Sequence, residues 1–204
     1  MMKTRTIGIV DYGVGNLASV YRSLQGLGYR CRVSREPAVL GQTDLLLLPG
    51  VGAFPAAMDA LNACHLVGYL QQHARSGAPM IGICLGMQLL ADGSDEHRFT
   101  AGLELIPGRV TALAGTRWHI GWNTIEVLGR DPLLQPSDGQ SVYFNHSFVF
   151  EPPPEYRAAV SRLTTPITVA VRRDNIVGLQ FHPEKSQATG RQLLRNVIEG
   201  LCRD

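Results

Sequence analysis

The run Asp44-Leu45-Leu46-Leu47-Leu48, cut off by Pro49-Gly50-Val51-Gly52, constrains the fold more than any other stretch of the chain. A strand with one wet face alternates apolar and polar residues, so an unbroken apolar run predicts a strand covered on both faces. Thr6–Val10 and Met80–Ile83 are short apolar runs of the same kind. Helical patterns lie between them, over 17–27 and 55–75, and Gly28 stops the first in the usual C-terminal fashion. A further strand is expected at 29–33, and another helix after Cys84. Buried strands alternating with helices predict a mostly parallel sheet flanked by helices.

The second half changes character. Segments 103–113, 120–127, 141–150, 169–173 and 176–182 read as strands with few helices between them. Asp174-Asn175 suits a tight hairpin turn, and Pro152-Pro153-Pro154 a loop between two strands. The span 187–202 closes as an amphipathic helix with Leu193, Leu194, Val197, Ile198 and Leu201 on one stripe. The expectation is one α/β domain, residues 1–204, with antiparallel strands added in its second half.

Composition narrows the function classes. With 204 residues, 45% of them apolar and 18% charged, the chain is expected to bury a substantial core. A net charge of +2 leaves no footprint for nucleic acid, and Arg30, Arg32 and Arg35 read as a solvated edge. The apolar run Thr6–Val10 is too short for a signal peptide, and no stretch reaches membrane-spanning length. Cys31, Cys64, Cys84 and Cys202 form no Cys-x-x-Cys pair, which fits a reduced, cytoplasmic protein. His65, His73, His97, His119 and His146 show no metal-ligand spacing, so neither a metal nor another cofactor is expected. Trp118, Trp122, Tyr143 and Phe148 lie in strand-like segments and read first as core.

Three segments carry chemistry. Gly82-Ile83-Cys84-Leu85-Gly86 sets a nucleophile between two glycines at a strand end. Such glycines let a strained turn approach its neighbours and lift the central side chain out of the sheet. A helix starting there would aim backbone N–H groups and the positive end of its dipole at the sulfur, favouring the thiolate. A buried structural cysteine fits the same five residues nearly as well. His182-Pro183-Glu184 tips the balance, because an imidazole base held by a carboxylate is the support a thiol nucleophile uses. Pro183 disfavours helix, so the triplet is expected to be extended with His182 and Glu184 on one side. Pro49-Gly50-Val51-Gly52 should end its strand at the same sheet edge, with backbone N–H groups open to a developing oxyanion. One such donor is worth ~2.7–4 kcal/mol of barrier.

A rival reading starts from Gly13-Val14-Gly15-Asn16-Leu17-Ala18, which matches the dinucleotide fingerprint, with Glu36 near the distance of a ribose-binding acid. Asp11 stands between strand and loop and would set negative charge near a pyrophosphate. A tight structural or partner-contact loop is the better reading.

Pro49-Gly50-Val51-Gly52-Ala53-Phe54, Gly82-Ile83-Cys84-Leu85-Gly86-Met87-Gln88 and Phe181-His182-Pro183-Glu184-Lys185-Ser186 together resemble the three signatures of class I (triad) glutamine amidotransferases, whose fold is flavodoxin-like. Asp11-Tyr12-Gly13-Val14-Gly15-Asn16-Leu17, Gly121-Trp122-Asn123 and His146-Ser147 narrow the likeness to the glutaminase subunits of imidazole glycerol phosphate synthases. The resemblance implies that Cys84 attacks the side-chain amide of glutamine to form a glutamyl thioester, with His182 as acid and base and Glu184 orienting it. It implies an oxyanion hole at Val51, Gly52 and Leu85, and glutamine binding at Gly52, Gln88 and Ser147. It also implies a (β/α)8-barrel cyclase partner that takes up the ammonia for histidine biosynthesis, contacted through Tyr12, Asn16, Trp122 and Lys185. Gly50 and Gly52 flank Val51, so a peptide there could rotate to switch the oxyanion hole on. The chain departs from the family pattern at Trp118, where a proline is expected, and at Asn145, where an apolar residue is expected. A paralogous subunit feeding a sugar-amidating synthase is the alternative those departures leave open.

Overall fold

Leu45 and Leu47 pack into one core and Leu46 and Leu48 into another, so the leucine run has no solvent face. Period-two alternation across a sheet buried on both sides produces this division. The computed structural model describes residues 4–203. In chain order the first half holds β1 (Thr6–Val10), α1 (Leu17–Gly26), β2 (Arg30–Ser34), a single turn α2 (Pro37–Leu40), β3 (Leu45–Leu48), α3 (Phe54–Ala63), α4 (Val67–Arg75), β4 (Met80–Ile83) and a single turn α5 (Leu85–Gln88). Short strands β5 (Gly93–Ser94) and β6 (Thr100–Ala101) follow, then β7 (Arg109–Ala112), β8 (His119–Thr124) and β9 (Glu126–Val127). The chain continues through β10 (Ser141–His146), β11 (Phe148–Glu151), β12 (Arg157–Arg162), β13 (Pro166–Arg173), β14 (Ile176–Leu179) and the helix α6 (Gln187–Leu201).

The main sheet has the order β2-β1-β3-β4-β14-β13-β12-β9. Its first five strands run parallel, and the last three are added antiparallel. Helices α1 and α6 cover one face through Val20, Leu24, Leu193, Leu194, Val197 and Ile198. Helices α3 and α4 cover the other through Phe54, Met58, Leu61 and Leu70. Register is what positions the site. Leu48 pairs with Gly82, and Ile83 with Leu179, so β3, β4 and β14 all release their chains at one sheet edge. Two smaller sheets, β10-β8 and β11-β7-β5-β6, complete the second half.

Most expected elements form, and the departures have local causes. Gly28, at φ +89, ends α1 with its N–H donated to the Gln25 carbonyl. Asp174-Asn175 makes the tight turn between β13 and β14, with Asp174 at φ 48. The single helix expected over 55–75 is two helices, because His65 takes a left-handed φ of 54 while Leu66 stays in the core. Apolar periodicity continues through that break, so it left no trace in the pattern. Only Arg109–Ala112 of the 103–113 segment is strand; Leu103, Leu105 and Ile106 instead donate their N–H groups to carbonyls of Leu89 and Leu90. The 120–127 and 141–150 segments each split between two sheets, after Thr124 and at Ser147. Strand β12 was not expected, since Arg157-Ala158-Ala159-Val160-Ser161-Arg162 has weak strand propensity and is held by pairing with β13.

Gly86 sits so close to the Leu48 carbonyl that any side chain would collide with backbone, whereas Gly68 on α4 faces open space. Gly86→Ala is expected to lower the unfolding free energy by about 2–3 kcal/mol. Gly68→Ala should raise it by about 0.4–1 kcal/mol. Urea denaturation of both variants checks the pair.

Candidate active site

Cys84 links β4 to α5 with φ 55 and ψ −110, a conformation that L-residues rarely adopt. Such a residue costs about 1–3 kcal/mol and persists only where its surroundings over-determine it. They do so here by close backbone packing. A Cβ on Gly82 would meet the Gly86 carbonyl oxygen at 2.5 Å, and one on Gly50 would meet Leu85 at 2.8 Å. The Cys84 N–H is also fixed, donating to the Leu179 carbonyl at 2.7 Å. Cys84 is 6% exposed, its sulfur 3.9 Å from both the Asn145 carbonyl and the Gln180 amide. The expected helix dipole is a weaker aid than the sequence reading had it, because α5 is one turn long.

His182 leaves β14 three residues beyond Leu179 and is 3% exposed. Its Nδ1 meets Glu184 Oε1 at 2.8 Å, and the Cys84 side chain is close enough to the ring to raise its pKa. With Nδ1 committed to Glu184, Nε2 is the nitrogen that faces the sulfur. Burial alone would lower the His182 pKa, but the hydrogen bonds and charges of Cys84 and Glu184 outweigh it and raise the value to about 9. The expected extended triplet is a 3-10 turn over Pro183–Lys185. Proline is compatible with the first position of such a turn, where no N–H donor is needed. The turn, not strand alternation, brings the Glu184 carboxylate back to the imidazole. Ser186 then clamps the segment, donating to the His182 carbonyl at 2.7 Å and accepting from the Tyr143 N–H at 2.9 Å.

A cavity of about 280 Å³ opens over the sulfur, lined by Val51, Gly52, Cys84, Leu85, Gln88, Glu96, Asn145, His146, Ser147, Phe148, His182 and Lys185. Every residue expected in the oxyanion hole or at the glutamine positions lies on this wall. Gly52 has φ +93, which suits glycine, and Leu85 opens α5, where a backbone N–H has no intrahelical acceptor. Gln88 donates its amide to the Phe148 carbonyl and to Gln180 Oε1, each at 3.0 Å, leaving its own carbonyl oxygen for the cavity. Glu96 escaped the sequence reading because it sits among the loop acids Asp92, Asp95 and Glu96, which periodicity cannot separate. It is 8% exposed, caps the Phe54 N–H at 2.8 Å, and sets a carboxylate against the cavity.

The residues expected at a partner contact divide. Lys185 is exposed at the cavity, its Nζ 6.0 Å from the Tyr143 ring. Trp122 is 50% exposed on β8, and Trp118 and Ile120 are exposed near it, so neither tryptophan is core. Tyr12 is 2% exposed, and its hydroxyl donates to the Pro49 carbonyl at 2.8 Å. It braces the 49–52 turn from inside instead of facing outward. Asn16 caps α1, accepting from the Ser19 N–H at 3.3 Å. The glycine loop that matched the dinucleotide fingerprint is filled by its own groups. Asp11 accepts from the Gly13 N–H at 3.1 Å, and Gly15 packs against Pro49. Among the described residues no group of His, Cys, Asp and Glu side chains is arranged to hold a metal, and no helix is long and apolar enough to cross a membrane.

Because Cys84 helps raise His182, Cys84→Ala should move the imidazole titration, read by NMR, downward from about 9. A folded value above the ordinary ~6.5 also means that the His182 contribution to stability is complete below that value and fades as pH rises through about 9. Unfolding free energies measured across that window should fall less in the variant.

Comparison with known proteins gives the family. Residues 8–200 match the glutamine amidotransferase class-I family. The imidazole glycerol phosphate synthase subunit HisH of Syntrophotalea carbinolica is 44% identical over 201 residues, 93% of this chain and 98% of that one. The subunit HisH of Lacticaseibacillus casei is 45% identical over 197 residues, 95% of each chain. A glutamine amidotransferase structure from Thermotoga maritima superposes with a TM-score of 0.73 at 16% identity, covering 99% of this chain and 100% of that one, a likeness of fold. The chain belongs to the class-I glutamine amidotransferases and, among them, to the family of imidazole glycerol phosphate synthase subunits HisH.

Proposed function

We propose that this chain, acting as one glutamine amidotransferase domain over residues 1–204, hydrolyses glutamine and hands the ammonia to a (β/α)8-barrel cyclase partner in histidine biosynthesis. The observation that carries the chemistry is the line Cys84–His182–Glu184 at the wall of a cavity large enough for one amino acid. The synthase assignment rests on the kinship with HisH subunits, over almost the whole length of each chain. That kinship also weighs against the sugar-amidating alternative. Exposed Ile120 and Trp122 on β8, with Lys185 nearby, offer an apolar and cationic surface for the cyclase.

Each step follows from a named group. Cys84 Sγ attacks the side-chain carbonyl carbon of glutamine, and the carbonyl oxygen gains negative charge. Backbone N–H groups at Leu85 and at Val51 or Gly52 receive that charge. His182 Nε2 gives its proton to the amide nitrogen, the carbon–nitrogen bond breaks, and ammonia leaves a γ-glutamyl thioester on Cys84. His182 Nε2 next takes a proton from water as the water oxygen attacks the thioester. Collapse expels the sulfur and releases glutamate. A His182 pKa near 9 keeps the imidazole protonated at neutral pH, ready for the ammonia-releasing step. Glu96 supplies a buried carboxylate for the substrate ammonium, and the Gln88 carbonyl oxygen an acceptor for a substrate N–H.

Cys84→Ser should reduce glutamine hydrolysis by about 10³-fold or more while leaving binding to the cyclase intact; retained turnover would remove the proposal. Glu184→Gln should lower the rate by about 10²–10⁴-fold and move the basic limb of the pH–rate profile to lower pH, because a raising charge on His182 is lost. Rotation of a 49–52 peptide is tested by glutaminase rates for the chain alone, with the cyclase, and with the cyclase bound to its ribonucleotide substrate. Equal rates in all three would exclude gating.

A further inference from the structure

Two buried histidines have no part in the chemistry above. His119 on β8 and His146 on β10 stand opposite each other in register and are 6% and 7% exposed. His119 Nδ1 lies 3.0 Å from His146 Nε2, and His146 Nδ1 lies 2.8 Å from the Phe148 carbonyl oxygen. At the outer end the Asn123 amide nitrogen is 3.2 Å from His119 Nε2 and 3.1 Å from the Arg162 carbonyl.

These contacts admit one set of proton positions. A carbonyl oxygen only accepts, so His146 carries its proton on Nδ1. Its bare Nε2 must accept from His119, which therefore also carries its proton on Nδ1. Asn123 Oδ1 accepts from the Thr124 N–H at 2.8 Å, which fixes the amide orientation and aims its nitrogen at the bare His119 Nε2. Both rings are neutral in this arrangement, and burial pushes both pKa values down, that of His146 to about 4. His119 is further held by stacking on Phe144, with ring centroids 4.2 Å apart.

The Phe148 carbonyl that ends this chain also accepts the Gln88 amide, and Gln88 continues through Gln180 to Cys84. Two hydrogen-bonded arms thus meet at one carbonyl on the cavity wall. We propose that His119 and His146 form a relay of fixed polarity that positions the Phe148 carbonyl and Gln88 for glutamine, so that His119 is a positioning residue for substrate binding. The role in binding rests on the functional reading given above. If His119 loses its donor, the buried Nε2 of His146 is left without a partner, and the ring gains by turning to find one. Because its Nδ1–H is bonded to the Phe148 carbonyl, a turned ring would carry that carbonyl, and with it Gln88, out of place. The relay also ties the ribbon β8–β10 to β12 through Arg162, so the wall is anchored to the main sheet.

The test joins spectroscopy to kinetics on the full chain. Long-range proton–nitrogen correlation spectra of histidine-labelled protein should show both rings as Nδ1–H tautomers, the minor form of free histidine in water. His119→Phe keeps an aromatic ring against Phe144 but removes the donor. With the cyclase bound, it should raise KM for glutamine roughly three- to tenfold, the size of one net hydrogen bond, with kcat within a factor of about two. His119→Asn restores an N–H near the Nδ1 position and should return KM toward wild type even if its melting temperature is lower. An Nε2–H tautomer on either ring, an unchanged KM in His119→Phe, or a KM that follows melting temperature and not the donor overturns the proposal. A wild-type chain that hydrolyses no glutamine even with the substrate-loaded cyclase bound overturns the functional reading and the positioning role with it, while Nδ1–H tautomers on both rings would still uphold the relay.

Discussion

The contact on which the site depends is the packing of Gly86 against the Leu48 carbonyl, together with that of Gly82 against Gly86. It closes the turn after β4 so tightly that Cys84 is driven to φ 55 and ψ −110. The unfavourable backbone is maintained by neighbours that have nowhere to move, namely β3 on one side and β14 on the other. The same closeness brings the 49–52 turn beside the sulfur. Strain at Cys84 and proximity of the 49–52 turn are thus two results of one packing arrangement.

Parallel register does the rest of the assembly. β3, β4 and β14 are adjacent and end together, so a turn, a thiol and an imidazole that are far apart in the chain emerge side by side. Once His182 is there, electrostatics sets its state. Burial disfavours an imidazolium, and the sulfur and Glu184 together overcome that penalty. The adjacent His146 goes the other way, since burial dominates and its partners are a neutral ring and a carbonyl. Two histidines that meet the same cavity are therefore separated in charge by what surrounds each of them.

Much of this was legible in the sequence. The leucine run predicted a sheet covered on both faces, and the glycines about Cys84 predicted a tight elbow. Local patterns succeed where a residue's requirement is local, such as a backbone that admits no Cβ or a strand with no wet face. They failed at His65, where a helix ends without glycine or proline while the apolar period runs on. They failed again at 120–127 and 141–150, because moving a strand from one sheet to another alters its partners and not its composition. Tyr12 and the tryptophans were misjudged for a related reason. An aromatic ring's burial depends on what packs over it, and β8 presents Trp122 to solvent while Tyr12 lies in the core with its hydroxyl against the 49–52 turn.

By itself the sequence singled out Cys84, His182, Glu184 and the glycine turn at 49–52, because each stands in a short motif of particular residue types. Only the tertiary structure decided how they meet. The carboxylate reaches His182 through a 3-10 turn, and Glu96 is carried to the cavity by a loop that no periodicity describes. The direction of the hydrogen bonds from Asn123 to Phe148 was likewise invisible, since a histidine's tautomer is set by neighbours distant in the chain.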